Sequence, residues 1–333
     1  MKAIRYLGKE KIGFVDVPPP ELKAGEALIE VKYAGICGSD LFIYSGTHPR
    51  AKAPLVIGHE FCGVVIEIAD DDPSGFKVGD RVTANPHLAC GECDACLAGH
   101  RNVCRQLKII GIDLDGAFAE YVAIDTSYLI RLPEGIAFDK AALSEPLAVA
   151  VHAVRGSDMK LGDRVLVLGG GSIGLLTAFA AKANGASVVV VVEPNEFRRK
   201  LAAGFGFQMM SDPQDFAQGS GVETGFDVVF EAAGVPATIE AAIKYCRIKG
   251  QVVIIGLYKY ASPVDLRQIA FAELKLAGTR ANTNTDFVVA ADLLNKYPEI
   301  SDIVTHRLPF EEAQTGFDLL RQGGDVVKVL LHP

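Results

Sequence analysis

The chain has 333 residues, of which 49% are hydrophobic and 22% charged, with a formal net charge of −8. That length suggests two domains, each large enough for its own core, and the composition leaves no case for disorder. The acidic balance argues against a nucleic-acid surface. No uninterrupted apolar stretch reaches the roughly 18 residues of a membrane span, which argues against a membrane role. The opening residues, Met1 to Tyr6, alternate like a strand instead of forming the apolar core of a signal peptide. Seven cysteines without a secretory signature fit a reducing cytosol, so the chain is expected to be cytoplasmic.

In chain order, the first third predicts short strands at 26–36, 56–69, 81–86 and 118–132. Pro18-Pro19-Pro20, the segment 70–75 and a cysteine-rich loop separate them. The run Asp70-Asp71-Asp72-Pro73 is read as a solvated turn. Residues 137–154 are alanine-rich with helical period, and Pro146 should kink or restart that helix. From residue 163 strands and helices alternate: strands at 164–168, 187–193, 226–233 and 250–257, and helices at 173–184, 196–204 and 236–246. Continuous apolar strands joined by helices indicate a parallel sheet covered on both faces. The tail closes with a helix and a strand at 326–331 and is too short for a domain of its own, so it should return to the first one.

Cys90, Cys93, Cys96 and Cys104 form a C-x2-C-x2-C-x7-C array, with Gly91 and Gly99 loosening the loop between them. Four soft thiolates at such spacings reach one tetrahedral zinc far better than they form disulfides between close neighbours. A closed set of four leaves no position for a substrate, so this zinc is structural.

After the strand 164–168 come Gly169, Gly170, Gly171, Ser172, Ile173 and Gly174, a G-x-G-x-x-G running into a helix. Gly169 allows the turn, Gly171 lets backbone approach a pyrophosphate, and Gly174 lets helix pack on strand. Ser172 and Ile173 sit at the helix N-terminus, where amides face the phosphates. The next strand ends in Glu193, a carboxylate placed to accept from both ribose hydroxyls and to repel a 2′-phosphate, which points to NAD over NADP. Arg198 and Arg199 follow on the helix 196–204; they are read as solvated, with Arg198 kept beside the cofactor site.

Of the remaining cysteines, Cys62 and Cys246 lie in apolar patterns and read as small core residues. Cys37 differs: it stands in Gly35-Ile36-Cys37-Gly38-Ser39-Asp40 at a strand end, and Gly58-His59-Glu60 follows. One cysteine, one histidine and one or two carboxylates leave zinc an open position, the mark of a catalytic site. On a regular strand His59 and Glu60 would point to opposite faces, so both can bind only if the backbone bends at Gly58 or Glu60 exchanges.

These motifs, together with Ser144-Glu145-Pro146-Leu147, resemble the medium-chain zinc-dependent alcohol dehydrogenases, close to the polyol (sorbitol-like) and threonine dehydrogenase branch. The resemblance implies an α/β architecture: a GroES-like β-rich catalytic domain at 1–148, a Rossmann doubly wound parallel-sheet domain at 149–284, and a return to the catalytic domain at 285–333. It implies two zinc ions per chain and NAD, with Cys37, His59, Glu60 and Glu145 at the catalytic zinc. It also makes Ser39 the hydroxyl that carries the alcohol proton. Relatives place a histidine three residues after that serine; Phe42 stands here, so Glu60 or Glu145 is expected to take part in proton transfer. Ile255, Gly256, Leu257, Thr279 and Arg280 match the segments that meet the nicotinamide side of the cofactor.

The implied reaction is oxidation of a secondary alcohol of a polyol, sugar or sugar acid to the ketone, with hydride transfer to NAD. Threonine or another hydroxy acid is the alternative substrate, and Arg280 would either bind an acidic one or form a structural or intersubunit salt bridge. Phe42, Tyr44, His48 and Phe118 are candidate pocket walls and equally candidate core residues. A zinc-free quinone reductase would have no use for Cys37, His59 and Glu60 as a set. A zinc scaffold or redox sensor would leave the glycine loop idle. Relatives being dimers or tetramers, a homo-oligomer is expected, with 251–257 as a sheet edge open to pairing.

Overall fold

The computed structural model describes residues 1–69, 73–214 and 224–333, so the turn expected at Asp70, Asp71 and Asp72 lies outside the described residues. The chain forms two compact units, Met1–Ala148 with Ala281–Pro333 and Val149–Arg280. Among the described residues no helix is long and apolar enough to cross a membrane.

The first unit is built around the strand Glu26–Gly35, which buries Ala27, Ile29, Val31 and Ala34 while its intervening residues are less buried, the alternation expected of a strand with one face on a core. It pairs antiparallel with Glu60–Ile68, Tyr121–Asp125 and, near its end, Lys328–His332. These belong to a seven-stranded sheet that also holds Arg81–Ala84, Leu129–Arg131 and Val304–Pro309. The register sets Gly35 opposite Glu60 on one side and Leu330 on the other, so the last strand lies two strands from Glu60. A second, three-stranded sheet of Lys11–Asp16, Lys2–Gly8 and Leu55–Val56 belongs to the same unit.

The expected strand at 118–132 is interrupted. The segment Thr126–Tyr128 takes a 3-10 turn, with Asp125 accepting from the Ser127 amide, and splits it into two strands. The expected helix at 137–154 likewise divides into Phe138–Ala141 and Ser144–Arg155. Pro146 falls in the first turn of the second helix, where its missing N–H breaks no intrahelical bond.

The second unit holds six parallel strands in the order Gln208–Met210, Val188–Val192, Arg164–Leu168, Phe226–Glu231, Cys246–Ile254, Lys275–Gly278. Chain order reverses between Arg164–Leu168 and Phe226–Glu231, the switch point at which open parallel sheets take ligands outside their carboxyl ends. The strand Cys246–Ile254 is interior, flanked by Phe226–Glu231 and Lys275–Gly278. The expectation of a pairing edge at 251–257 is therefore corrected: among the described residues the edges are Gln208–Met210 and Lys275–Gly278, the latter a short strand whose polar start hides it in the sequence. The unit ends at Arg280, four residues before the expected boundary. Asn282 and Asn284 explain the difference, because they hydrogen-bond Glu145 and Asn85 of the first unit.

One corner of the first unit carries special geometry. Gly58 has φ +94, in the left-handed region, and a Cβ there would lie 2.3 Å from the Phe118 ring. The ring is fully buried, and the Gly58 carbonyl accepts from the Ala117 amide at 2.9 Å. Gly58→Ala should therefore cost about 3 kcal/mol through overpacking and backbone strain. Urea denaturation reads this directly, and an unchanged midpoint would contradict the packing described.

Candidate active site and zinc centre

Gly35 ends the central strand, and Cys37 then caps the helix Gly38–Tyr44. Asp40, at the third helical position, accepts from the Cys37 amide at 2.9 Å and is fully buried. From the other side, the left-handed turn at Gly58 delivers His59 just ahead of the strand that starts at Glu60. Ligand atoms of Cys37, His59 and Glu60 come within 4.8 Å of one another. The bend supplies what a regular strand denies, two adjacent side chains turned to one site.

Burial is nearly complete here: His59 is 6% and Glu60 1% exposed. His59 Nδ1 has no hydrogen-bond partner among the described residues and lies 3.9 Å from Asp40 Oδ1, which is unpartnered too. Burial opposes the imidazolium, yet the Cys37 sulfur and the carboxylates of Asp40 and Glu145 hold the His59 pKa well above its usual value. Lys328 closes the set. It is 1% exposed, donates to the Ile36 carbonyl at 3.0 Å and pairs with Glu60. Burial works against its charge as well, but Glu60 and Cys37 keep its pKa raised.

The residues fit a zinc ion. A thiol, an imidazole and a carboxyl converge here, and one soft and two harder donors with a position to spare are what open zinc sites use. Asp40 lies on the Nδ1 side of the ring, where a carboxylate would turn the other ring nitrogen toward an ion. Glu145 is not in that cluster. It is 4% exposed and accepts from Asn282 Nδ2 at 3.0 Å, with its pKa pushed up to about 7, chiefly by burial.

The four-cysteine loop also fits a metal. Cys90, Cys93, Cys96 and Cys104 lie within 4.8 Å of one another, with sulfur pairs at 3.4 to 3.9 Å. A tetrahedron of Zn–S bonds has edges of about 3.8 Å. The amides of Cys90 and Gln106 each point at Cys104 Sγ at 3.3 Å, and those hydrogen bonds, Cys90 first, hold its thiol below the ordinary range.

In the second unit Gly169 has φ +105 and donates to the Val192 carbonyl, and Gly171 caps the helix Ser172–Ala183. A Cβ on Gly174 would stand 1.8 Å from the Gly169 carbonyl, so only glycine lets the helix seat on the turn. A Cβ on Gly171 would meet nothing within 4 Å, leaving the loop open on the side where a pyrophosphate would lie. Glu193, 5% exposed, accepts from the amides of Gly170 at 2.8 Å and Asn195 at 2.9 Å. The two arginines are not simply solvated: Arg199 donates to the carbonyls of Glu193 and Pro194, and Arg198 lies 3.9 Å from the Glu193 carboxylate. Each has the strand-end acid or its backbone within reach, which sequence periodicity does not show.

Family models match in the same order: "Alcohol dehydrogenase GroES-like domain" over residues 23–134 and "Zinc-binding dehydrogenase" over 172–296. The L-threonine 3-dehydrogenase of Bacillus licheniformis is 36% identical across 100% of this chain and 99% of its own length. The chain belongs to the medium-chain zinc-dependent alcohol dehydrogenases. The 2-dehydro-3-deoxy-L-galactonate 5-dehydrogenase of Pseudoalteromonas atlantica is 39% identical over 88% of the dehydrogenase and 87% of that relative. A crystal structure of a zinc-binding dehydrogenase from Sinorhizobium meliloti bound to NADP superposes with a TM-score of 0.90 at 34% identity, covering 100% and 99% of the two chains. The enzyme thus combines the GroES-like and Rossmann-type α/β domains, and its cofactors are zinc and a nicotinamide dinucleotide.

The dehydrogenase's other expected site residues fall in several places. Ser39 opens the helix beside Cys37, its hydroxyl buried and unpartnered among the described residues. Phe42, half-buried, lies one turn on. Phe118, open in the sequence between pocket wall and core, is fully buried against Gly58. Tyr44 is core too, packed on Phe317 with ring centroids 5.2 Å apart. His48 Nδ1 accepts from the amides of Arg50 and Ala51 and so organises its own turn. Ile255 and Gly256 donate their amides to the Glu231 carbonyl, Leu257 is exposed, the Thr279 amide donates to the Ile254 carbonyl, and Arg280 is exposed at the end of the unit.

Sequence reasoning missed Asp40, Lys328 and Asn282. A lysine inside the otherwise apolar run 326–331 was a readable signal for Lys328, and Cys37-x-x-Asp40 has the form of a capping box. Asn282 carried none. Because Lys328 is the cation paired with buried Glu60, Lys328→Met should cost about 3 kcal/mol by leaving that carboxylate unbalanced. An unfolding midpoint in urea equal to the parent's would contradict the pair.

Proposed function

We propose that the enzyme oxidises a secondary alcohol of a sugar acid or related polyol, using NAD and one catalytic zinc, with a second, structural zinc on the four cysteines. The observation that carries this reading is the convergence of Cys37, His59 and Glu60 at the Gly58 bend. Zinc held there would act as a Lewis acid that lowers the pKa of an alcohol, and bound nicotinamide would supply the hydride acceptor.

The protein's own residues do the rest. Cys37 and His59 hold the site, Asp40 orients the imidazole, and Lys328 fixes the Glu60 carboxylate. Glu145 is the alternate carboxylate ligand, held back by Asn282. Ser39, with a buried hydroxyl that lacks a partner, is placed to take the alcohol proton outward, and half-buried Phe42 limits one side of the substrate space. With a phenylalanine at that relay position, a zinc-site glutamate, Glu60 or Glu145, completes proton transfer.

Glu193 supports NAD over NADP, because a 2′-phosphate beside a carboxylate that already accepts two amides would be repelled. Arg198 nearby is the residue that would favour the phosphate, and the relative from Sinorhizobium meliloti binds NADP. Arg280 supports an acidic substrate, since a guanidinium can bind a carboxylate through two hydrogen bonds. The relative from Pseudoalteromonas atlantica, a galactonate-derivative dehydrogenase by name, agrees with that class, while the Bacillus licheniformis relative makes threonine the second reading. A reducing cytosol suits five thiols assigned to metal. A homo-oligomer would pair through the edge strand Lys275–Gly278, near the exposed Leu266 and Phe271.

A screen of aldonates, sugar phosphates, neutral polyols and threonine, with NAD and NADP in parallel, tests the reading at 340 nm. Strong NAD-linked oxidation of an aldonate is expected, reduced about 100-fold in Arg280→Ala as one charge-assisted bidentate contact is lost. Equal activity on neutral polyols, or preference for NADP, would contradict the acid and NAD assignments respectively.

A further inference from the structure

Glu231 ends the strand Phe226–Glu231 at the switch point of the second unit and is fully buried. One carboxylate oxygen, Oε1, accepts three hydrogen bonds: from the amides of Ala233 at 2.9 Å and Gly234 at 2.8 Å, and from the Thr238 hydroxyl at 2.6 Å. Its backbone carbonyl accepts two more, from the amides of Ile255 at 2.8 Å and Gly256 at 3.0 Å. The other oxygen, Oε2, is buried without a hydrogen bond of ordinary geometry, as is the Tyr258 hydroxyl. Burial first, and then the Glu231 charge, raises the Tyr258 pKa. Gly256 closes over the same atom, for a Cβ there would lie 2.7 Å from Oε2 and 2.4 Å from the Gly234 amide nitrogen.

The three segments that meet on Glu231 are the turn 232–234, the start of the helix Pro236–Tyr245 and the strip 255–258. The turn is also the neighbour of the glycine loop. A Cβ on Gly169 would come within 3.2 Å of both the Cβ and the amide nitrogen of Ala233, so the two backbones are in contact. The strip contains Ile255, Gly256 and Leu257, which line the nicotinamide side in the reading given above. The Glu231 carboxylate therefore holds the glycine loop's neighbour, while its backbone carbonyl, which any residue would supply, receives that strip.

We propose that Glu231 is a positioning residue for the dinucleotide. It does not touch the cofactor; its carboxylate fixes the turn 232–234 against Gly169. The proposal rests on the assignment of the glycine loop as the cofactor site. Removing the carboxylate takes the acceptor from the Ala233 and Gly234 amides, backbone that the bound nucleotide needs in place, and leaves the Thr238 hydroxyl only the Val235 carbonyl.

The test is NADH and NADPH binding to the full-length, zinc-loaded enzyme by protein-to-nucleotide fluorescence transfer or calorimetry, without alcohol. Glu231→Ala should raise the Kd for the preferred nucleotide about tenfold, and Glu231→Gln, which keeps an acceptor for all three donors, should stay within about threefold of the parent. Stoichiometry separates positioning from folding: a merely structural role would lower the fraction of protein that binds and leave Kd unchanged, which would overturn the proposal. If Glu231→Ala does not fold, Thr238→Val removes one of the three donors, and a parent-like Kd in that variant overturns the proposal equally. A parent that binds neither nucleotide would overturn the cofactor assignment itself; a parent that binds, beside a Glu231→Ala that binds as tightly, would overturn only the role of Glu231.

Discussion

Neighbouring residues of a strand face opposite ways, yet His59 and Glu60 bring donor atoms into one cluster with Cys37. The left-handed turn at Gly58 resolves the conflict, and much of the first unit is shaped to allow it. The Phe118 ring fills the space a side chain at Gly58 would take, and the backbone of 116–118 closes over the turn through hydrogen bonds to residues 56–58. A packed aromatic ring and a bent backbone are thus part of the chemistry, although neither touches a metal ligand's donor atom. The price is a corner that tolerates almost no substitution.

The second consequence is electrostatic. Asp40, Glu60 and Glu145 place three carboxyl groups in buried positions, where charges interact more strongly than on the surface. Lys328, from the far end of the chain, supplies the compensating cation and holds Glu60 in a fixed position. The return of residues 281–333 to the first unit is therefore more than a tail finding a place to pack. It brings Asn282 to Glu145 and Lys328 to Glu60, so both carboxylates near the metal position are restrained by residues that lie over a hundred positions away. In the cofactor unit Glu231 plays a comparable part, a buried carboxylate that acts through backbone amides.

Much of this was legible in the sequence because the relevant signals are local. The cysteine array, the glycine loop with its acid at the next strand's end, and the alternation of apolar strands with helices each depend on short spacings. Even the need for a bend at Gly58 follows from two adjacent ligands and the period of a strand. What escaped depends on register between distant strands. Lys328 meets Glu60 only because Gly35 lies between their strands, and the sheet edge Lys275–Gly278 is too short and polar at its start to announce itself. For Phe118 and Tyr44 the sequence leaves pocket wall and core equally open, because an aromatic near a site looks the same in either place; both are core.

The most direct test of the account is anomalous X-ray scattering at the zinc edge from crystals of the enzyme prepared with zinc. Two peaks per chain are expected, one within bonding distance of Cys37 and His59, the other enclosed by Cys90, Cys93, Cys96 and Cys104. A single peak in the cysteine lobe, with Cys37, His59 and Glu60 empty in a fully active preparation, would contradict the catalytic centre described.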